Sequence, residues 1–362
     1  MINPVNARNI SCITVRGNFL RYTSPVLPCN DRRRPSSRVF PLTWGRRIHC
    51  MAPGRASLRP WSCYSQPTKH STGGRLFMSS ERRTLVDDTP PRPSRSLAGK
   101  VAIVTGAGCE GDGLGNGRAI SVLLAEDGAS VVCADLNQAW AEKTSDMIRA
   151  EGRGETASCQ GDVTDPDDCR KIVDVAMTTF GRVDILVNNV GIIGAKGTAT
   201  EFDLEQWRRG LDVNVTSMAN MVRLAVPEMR KNDESLGRVR GSIVNMGSVA
   251  GLVGGTPHLL YPTSKGAVVN MTRAMAAHHA PDGIRVNCVC PGMLYTPMIH
   301  AKGMSREMRE ARRNRSLLRT EGNAWDCATA VRFLASEQAR WITGSVLTVD
   351  AGATAVSAIQ LV

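Results

Sequence analysis

Two side chains suited to proton transfer lie four residues apart in the segment Tyr261-Pro262-Thr263-Ser264-Lys265, and Ser248 lies thirteen residues before the tyrosine. Residues at this spacing share one face of a helix, so the phenol and the ammonium can reach the same cleft. A neighbouring ammonium favours the phenolate and lowers the pKa of a tyrosine from about 10. Such a phenol can take a proton from an alcohol or give one to a ketone. The pair by itself is also compatible with an exposed lysine beside a half-buried tyrosine.

Short apolar runs alternate with helical segments from Leu97 onward, and these are the elements that must position the pair. Such runs are typical of buried parallel strands, and their alternation with helices predicts an α/β fold. We expect a Rossmann-type, doubly wound parallel sheet in a single domain of residues 97–362, with ligands at the carboxyl ends of the strands. The predicted strands are Lys100–Thr105, Ser130–Asp135, Thr156–Gln160, Val183–Val187, Ser242–Asn245, Ile284–Cys288 and Ser345–Val349. Helices are predicted at 138–150, 166–180 and 323–335 and around Tyr261.

A glycine-rich stretch follows the first predicted strand and leads into a helix near Arg118. Glycines allow backbone N–H groups to approach a pyrophosphate at the N-terminus of such a helix. The stretch therefore predicts a dinucleotide site with two possible registers for its tight glycine pair. The candidate residues are Thr105, Gly106 and either Gly115 with Gly117 or Gly113 with Gly115.

Asp135 ends the second predicted strand, where an acidic side chain can bind a ribose 2′-hydroxyl and repel a 2′-phosphate. Glu110 adds negative charge to the glycine loop, which holds no Lys or Arg. Both observations favour NAD(H) over NADP(H), although an ordinary loop carboxylate is the alternative for Asp135. Further candidates for cofactor contacts follow the third and fourth strands: Asp162, Val163, Asn189 and Gly191.

The ordered set of motifs over residues 97 to 354 resembles the classical short-chain dehydrogenase/reductase family. The matching pieces are Thr105-Gly106 with the glycine loop, Asp162, Asn188–Gly191, Asn214, Ser248, Tyr261 with Lys265, Pro291-Gly292 and Trp341–Gly344. The resemblance implies a catalytic tetrad of Asn214, Ser248, Tyr261 and Lys265. It also implies cofactor contacts from Tyr261, Lys265, Pro291, Gly292 and Thr296, the last with the nicotinamide carboxamide.

The resemblance implies a role for each member of the tetrad. Tyr261 is the general acid/base, and Lys265 lowers its pKa and binds the nicotinamide ribose. Ser248 holds the substrate oxygen, and Asn214 holds a water that links Lys265 to solvent. The implied activity is hydride transfer between NAD(H) and a secondary alcohol or ketone. A cofactor-binding protein with a regulatory role and unused catalytic groups is the alternative. A homotetramer or homodimer, assembled through the helix that carries Tyr261, is also implied.

The chain departs from the family pattern without losing a catalytic group. The glycine loop is several residues longer than usual, which leaves its register open. Val190 stands where alanine is usual, Gly247 replaces a common serine, and Ala351 replaces a glycine near the end of the domain.

The positions that family members use around the substrate are mainly apolar here, which favours a cyclic or medium-sized alcohol or ketone. They are Val249, Leu252, His258, Leu259, Met293, Leu294, Tyr295 and Met298. Basic residues are frequent just beyond, at Lys302, Arg306, Arg309, Arg312, Arg313, Arg315 and Arg319. Either these side chains bind an anionic substrate, or they lie on the solvated face of a mobile lid helix.

The formal net charge of +12 is concentrated at one end of the chain. Residues 1–96 hold 17 basic and 4 acidic residues and 11 of the 18 prolines, whereas the rest has a net charge of −1. A nucleic-acid partner is therefore not expected for the folded domain. The composition of 1–96 predicts disorder. This segment is interpreted as a presequence, as residues before a true start at Met51 or Met78, or as a basic interaction arm.

The eleven cysteines form no Cys-x-x-Cys pair, so we expect no metal site. Cys288 and Cys290 are interpreted as two small buried thiols, and scattered free thiols favour a reducing compartment. No apolar run reaches the roughly 18 residues of a membrane span, and no secretory segment is visible. We expect the cytoplasm, or the mitochondrial matrix if residues 1–96 are a presequence, and not secretion.

Overall fold

The computed structural model describes residues 90–235, 238–301 and 303–357. The disorder, presequence, start-site and basic-arm interpretations of residues 1–96 therefore fall outside the described residues for positions 1–89. Two residues before position 97 contact the domain. Arg95 pairs with Asp127 at 3.2 Å, and the Ser94 N–H donates to the Glu337 carboxylate at 3.3 Å. The domain boundary at 97 stays a prediction.

Seven parallel strands form one sheet in the described part of the chain, and this confirms the predicted fold class. The order across the sheet is β3-β2-β1-β4-β5-β6-β7. Most predicted strands match within two residues, but the sixth continues to Pro291, three residues beyond the predicted end. The strands are β1 Val101–Thr105, β2 Ser130–Asp135, β3 Thr156–Gln160, β4 Ile185–Asn188, β5 Gly241–Met246, β6 Ile284–Pro291 and β7 Val346–Val349.

The second and third helices begin and end at residues that satisfy their terminal backbone groups. Asn137 caps α2, Asp165 caps α3, and Gly152 and Gly181 end these two helices in the left-handed conformation. The described helices are α1 Asn116–Glu126, α2 Gln138–Glu151, α3 Pro166–Phe180, α4 Leu204–Leu211, α5 Ser217–Met229, α6 Leu260–His279, α7 Pro297–His300, α8 Arg306–Arg313 and α9 Ala324–Ala335. A π-helical segment, Asp212–Thr216, joins α4 to α5.

Two hydrophobic layers enclose the sheet. Ile120 and Leu124 of α1 pack with Val331 of α9 on one face, and Ile172 of α3 packs with Met221 of α5 on the other. Every residue of β1 and β5 is buried, because helices cover both sides of the central strands. Burial of each large aliphatic side chain contributes about 1.5–3 kcal/mol, so these layers hold the sheet edge rigid for the site it carries.

The strand order reverses between β1 and β4, where the chain leaves one half of the sheet for the other. Loops on either side of such a point diverge and leave a crevice at the carboxyl ends of the strands. The glycine loop follows β1, Asn189 follows β4, and Ser248 follows β5. The fold therefore brings the predicted site segments to one edge of the sheet.

Candidate active site

Tyr261 and Lys265 lie in the first two turns of α6, as their spacing predicts. The Lys265 side chain is buried, and its ammonium donates a hydrogen bond to the Met246 carbonyl at 2.8 Å. The Lys265 Nζ atom lies 5.9 Å from the centre of the Tyr261 ring. Gly251 allows this packing, since a Cβ there would lie 2.4 Å from the backbone of Lys265. The helix is thereby seated against the turn that carries Ser248.

Ser248 follows β5 and is buried beside Tyr261. Its hydroxyl oxygen accepts a hydrogen bond from the Ala250 N–H at 3.1 Å, which fixes the side chain. The Ser248 hydroxyl lies near enough to the Tyr261 phenol to lower the pKa of Tyr261. The Ser248 hydroxyl and the Tyr261 phenol are therefore neighbours at the end of β5.

Asn214 lies in the π-helical segment and is fully buried. Its Oδ1 accepts from the Ile192 N–H at 2.7 Å, and its Nδ2 donates to the Ile192 carbonyl at 2.8 Å and to the Ser264 Oγ at 2.9 Å. A Cβ on Gly191 would lie 3.1 Å from the Lys265 Nζ and 3.5 Å from the Asn214 Oδ1. The Asn214 amide and the Lys265 ammonium, two members of the predicted tetrad, therefore both lie next to Gly191. The roles assigned to them stay predictions.

The protonation equilibria differ from the sequence expectation for Tyr261. Burial raises the pKa of Tyr261, and the nearby Ser248 hydroxyl only partly opposes this. Burial lowers the pKa of Lys265 to about 8. The expected lowering of the tyrosine pKa by Lys265 is not found in the protein alone. The physical reason is that burial disfavours the charged phenolate, and the Lys265 ammonium, 5.9 Å from the ring centre, does not offset this.

The glycine loop adopts one of the two predicted registers. Gly106 has φ +62°, and a Cβ on Gly117 would lie 1.9 Å from the Gly106 carbonyl oxygen. Gly115 is the N-cap residue of α1. The tight pair is therefore Gly115 with Gly117, because only there does the loop cross the helix at backbone distance. A Cβ on Gly113 would instead lie 2.5 Å from Pro297 Cγ, so this glycine lies against α7.

Thr105 and Asn189 tie the glycine loop to the end of β4. The Asn189 N–H donates to Thr105 Oγ1 at 3.1 Å, and the Asn189 Nδ2 donates to the Gly106 carbonyl at 2.9 Å. A first turn of α1 without acidic side chains, and an N-cap without a side-chain hydrogen bond, leave its N–H groups available to an anion. The backbone cradle and the helix terminus fit a pyrophosphate.

The residues predicted to bind the adenosine part of the cofactor follow β2 and β3. The Asp135 carboxylate accepts from the Gly108 N–H at 2.9 Å and from the Asn137 N–H at 3.0 Å, so it also holds the start of the glycine loop. Asp162 accepts from the Thr164 hydroxyl at 2.7 Å, and Val163 is buried. Each carboxylate oxygen has more than one acceptor direction, so these contacts leave room for ligand hydroxyl or amino groups.

The residues predicted to bind the nicotinamide part of the cofactor lie at and after the end of β6. Pro291 ends the strand, and a Cβ on Gly292 would lie 2.6 Å from Asp350 Cβ, so only glycine fits this close approach. Thr296 is buried at the N-cap of α7, and its hydroxyl makes no capping hydrogen bond there. The hydroxyl is therefore available to a carboxamide.

Arginines of α8 hold the segment that follows β6. The sequence left two interpretations for these arginines, which were binding of an anionic substrate and exposure on a lid helix. The Arg309 guanidinium lies 3.9 Å from the centre of the Tyr295 ring, and its Nε pairs with Glu321 at 2.6 Å. The Tyr295 ring also stacks on His300, with the ring centres 4.4 Å apart. Arg312 donates to the Leu294 carbonyl at 2.9 Å. These two arginines are engaged within the protein; Lys302 lies outside the described residues.

The contacts of Arg309 with Tyr295 and Glu321 form a clamp that the sequence did not predict. The reason is that Glu321 lies twelve residues from Arg309 and shares no periodic pattern with it. Sequence reasoning also missed buried Arg118, although a charged residue within an apolar helical run was the available signal. Among the described residues no group of three or more His, Cys, Asp or Glu side chains could hold a metal ion. Cys288 and Cys290 are buried with their sulfur atoms 3.7 Å apart.

Comparison with known proteins agrees with this arrangement. A family model described as Enoyl-(Acyl carrier protein) reductase matches residues 112–354. The chain belongs to the classical short-chain dehydrogenase/reductase family. Within that family, cyclohexanol dehydrogenase of Acinetobacter sp. strain SE19 is 36% identical over 261 residues, which cover 72% of this chain and 97% of that protein.

Other short-chain dehydrogenases show similar agreement. Meso-2,3-butanediol dehydrogenase of Serratia marcescens is 35% identical over 257 residues, covering 71% of this chain and 95% of that protein. The solved structure of 7α-hydroxysteroid dehydrogenase complexed with NADH and 7-oxo glycochenodeoxycholic acid has a TM-score of 0.65 and 33% identity, covering 71% of this chain and 95% of that chain. These relatives are dehydrogenases named for hydroxylated compounds, which supports an oxidoreductase function here.

Proposed function

We propose that this protein is an NAD(H)-dependent oxidoreductase that transfers a hydride between nicotinamide and a secondary alcohol or ketone. The observation that carries the proposal is the position of the Tyr261 phenol, which lies near the Ser248 hydroxyl and beside the buried Lys265 ammonium at the edge of the sheet. The dinucleotide supplies the hydride acceptor or donor when it is bound. The uncapped N-terminus of α1 supports its binding on this same edge.

Each residue of the site has its own role toward the substrate oxygen and its proton. Ser248 holds the oxygen by hydrogen bonding, and Tyr261 takes its proton during oxidation or gives one during reduction. The Lys265 ammonium binds ribose hydroxyls and stabilises the phenolate. Asn214, whose amide is held by Ile192, supports a water that links Lys265 to solvent. Since the Lys265 ammonium is buried, proton exchange between it and solvent needs such a relay.

We propose a preference for NAD(H) from the position of Asp135 at the end of β2. A carboxylate there repels a 2′-phosphate and accepts from a 2′-hydroxyl. Asp135→Asn keeps an acceptor for the Gly108 N–H and removes the charge. We expect it to lower the ratio of kcat/KM with NAD⁺ to that with NADP⁺ about 10-fold or more, since loss of one charge contact is worth about 1.4 kcal/mol or more. An unchanged ratio would contradict the assignment.

The substrate class that the site favours is an uncharged, largely apolar cyclic alcohol or ketone. Exposed apolar side chains occur in the segments after β4 and β5, before Tyr261 and on α7: Ile192, Ile193, Leu252, Val253, Leu259 and Met298. Arg309 and Arg312 are engaged by Glu321 and the Leu294 carbonyl, which disfavours an anionic substrate. Cyclohexanol and hydroxysteroid dehydrogenases among the relatives support a cyclic substrate.

A panel of cyclic, linear and carboxylated alcohols and ketones, assayed by NADH absorbance with both cofactors, tests the proposal. We expect turnover on apolar cyclic members and a loss of at least about 1,000-fold in kcat for Tyr261→Phe, because the ring remains but the proton-transferring hydroxyl is gone. NADH binding to this variant should be unchanged by calorimetry. Binding of NADH without turnover on any member of the panel would favour the cofactor-binding, regulatory alternative.

The oligomeric state and the cellular compartment of the protein are also proposals. We propose a homotetramer or homodimer in which a partner copy covers Trp341, whose surface is 96% exposed in the single chain. Light scattering of the purified protein would measure the mass of the assembly. We propose the cytoplasm, or the mitochondrial matrix if residues 1–96 are removed as a presequence. N-terminal sequencing of the native protein distinguishes these.

A further inference from the structure

Arg118 is a buried cation directly beneath the glycine loop. It lies in the first turn of α1, one residue after Gly117, and only 1% of its surface is exposed. The four hydrogen bonds of its guanidinium all end on uncharged oxygen atoms. A buried charge surrounded by neutral dipoles is costly unless an ion of opposite sign lies nearby. The location therefore points to an anion in the adjoining loop.

The contacts of Arg118 span the part of the loop that is longer than usual. One terminal nitrogen donates to the Cys109 carbonyl at 3.0 Å, and the other donates to the carbonyls of Gly111, at 3.2 Å, and Gly113. The Nε donates to the Thr144 hydroxyl at 3.1 Å, and that hydroxyl donates to the Ala107 carbonyl. Arg118 thus fastens both ends of the extended loop to α1 and α2.

The geometry of the peptide bond determines the direction in which the N–H groups of this loop point. In a trans peptide the carbonyl and the following N–H point in opposite directions. Because Arg118 holds the carbonyls of Cys109, Gly111 and Gly113, the N–H groups of the next residues, Glu110, Asp112 and Leu114, are turned away from the guanidinium. Such outward N–H groups form concave anion sites.

The loop itself brings no positive charge to that site. Glu110 and Asp112 are acidic, and Lys143 of α2 forms an ion pair with exposed Asp112 at the outer edge of the loop. Arg118 is therefore the cation best placed to balance a pyrophosphate from within. At low effective dielectric a buried charge acts over several ångströms without direct contact.

We propose that Arg118 is the positioning residue of the pyrophosphate subsite, shaping the extended glycine loop and supplying the positive charge that the loop lacks. The inference rests on the proposed function, because it takes a dinucleotide as the ligand. It predicts that Arg118 affects ligands that carry phosphate and leaves adenosine binding unchanged. A purely structural residue would weaken all adenosine-containing ligands alike or none.

Calorimetric titration of the full chain with NADH, ADP and adenosine tests the proposal, with adenosine measured by competition if its binding is weak. For Arg118→Met we expect the Kd of NADH and ADP to rise about 10- to 100-fold with that of adenosine unchanged. Arg118→Lys keeps the charge and should lose less affinity. Arg149→Met removes the same charge from an exposed position on α2 and should bind all three ligands as the wild type does.

Equal affinity of Arg118→Met and wild type for ADP, or an equal loss for adenosine and ADP, would overturn the proposal. If Arg118→Met does not fold, Arg118→Lys and Thr144→Val decide, because the second loosens the guanidinium while keeping its charge. A several-fold loss specific to ADP in both supports the role, and unchanged binding in both rejects it. Failure of the wild type to bind NADH would instead refute the proposed function.

Discussion

Tyr261 and Lys265 show that burial governs the acid–base behaviour of the site. Burial raises the pKa of the Tyr261 phenol and lowers the pKa of the Lys265 ammonium to about 8. Both shifts have one cause, because desolvation disfavours the charged form of either group. Opposite charges and ligand hydroxyls must restore the charged forms during turnover. The pH dependence of catalysis and of stability follows from these directions.

The two directions of the reaction should respond oppositely to pH. Oxidation needs the Tyr261 phenolate and reduction needs the phenol. Since burial raises the pKa of Tyr261, kcat/KM for oxidation should rise into the alkaline range while that for reduction holds at neutral pH and then falls. Initial rates at saturating cofactor, measured in both directions from pH 6 to 10.5, check this. Parallel profiles in the two directions would contradict a proton-transfer role.

Lys265→Met should stabilise the protein while abolishing activity. The folded pKa of Lys265, about 8, lies below the unfolded value, so its charge opposes folding below pH 8 and this penalty fades as pH rises toward the unfolded pKa. Removal of the charge should raise the free energy of unfolding by about 3 kcal/mol at pH 7. Urea unfolding should show a smaller difference at pH 9.5. A variant less stable than wild type at pH 7 would show that the ammonium contributes more than its burial costs.

At the scale of elements, the segment after β6 is held by a few specific side chains. The parallel bridge between Leu294 and Gly322 closes its base, and Arg309 fastens α8 through Tyr295 and Glu321. Gly113 of the glycine loop lies against Pro297 of α7, so the cofactor loop and the substrate segment are in contact. The two binding segments are therefore mechanically linked.

Arg309→Met should impair substrate binding more than chemistry. It removes both the ion pair with Glu321 and the cation over Tyr295, so α8 should loosen without a change in the tetrad. We expect KM for the alcohol to rise about 3- to 30-fold, with kcat and the Kd of NADH within twofold. Arg306→Met, at an exposed position on the same helix, should behave as wild type. A KM unchanged by Arg309→Met would show that the clamp does not shape the substrate site.

At the scale of the whole molecule, the basic segment and the catalytic domain have separate compositions. The described contacts of Ser94 and Arg95 with Glu337 and Asp127 indicate that the last residues before 97 belong with the domain. A chain that starts at residue 90 should therefore keep the activity and melting temperature of the full chain. A chain that starts at residue 98 should melt lower, since buried Asp127 loses its pairing with Arg95. Loss of activity on removal of 1–89 would assign these residues a role in catalysis or assembly.

Much of the fold and part of the site could be predicted from the amino-acid sequence. The succession of strands and helices along the chain follows from local apolar runs and caps, such as Asp165 before Pro166, because these signals act between residues close in the chain. The spacing of Tyr261 and Lys265 on one helix was readable for the same reason. The π-helical segment around Asn214 was not, since its geometry is set by contacts with Ile192 and Ser264 far along the chain.

The sequence by itself determined the family, the fold class and the identities of the candidate tetrad, because each depends on residue type and local order. Only the tertiary structure decided the glycine register, since Gly117 is recognised by its contact with Gly106. It alone paired Arg309 with Glu321 and placed Arg118 beneath the glycine loop. It also reversed the expected pKa direction of Tyr261, because desolvation depends on what surrounds a side chain in space.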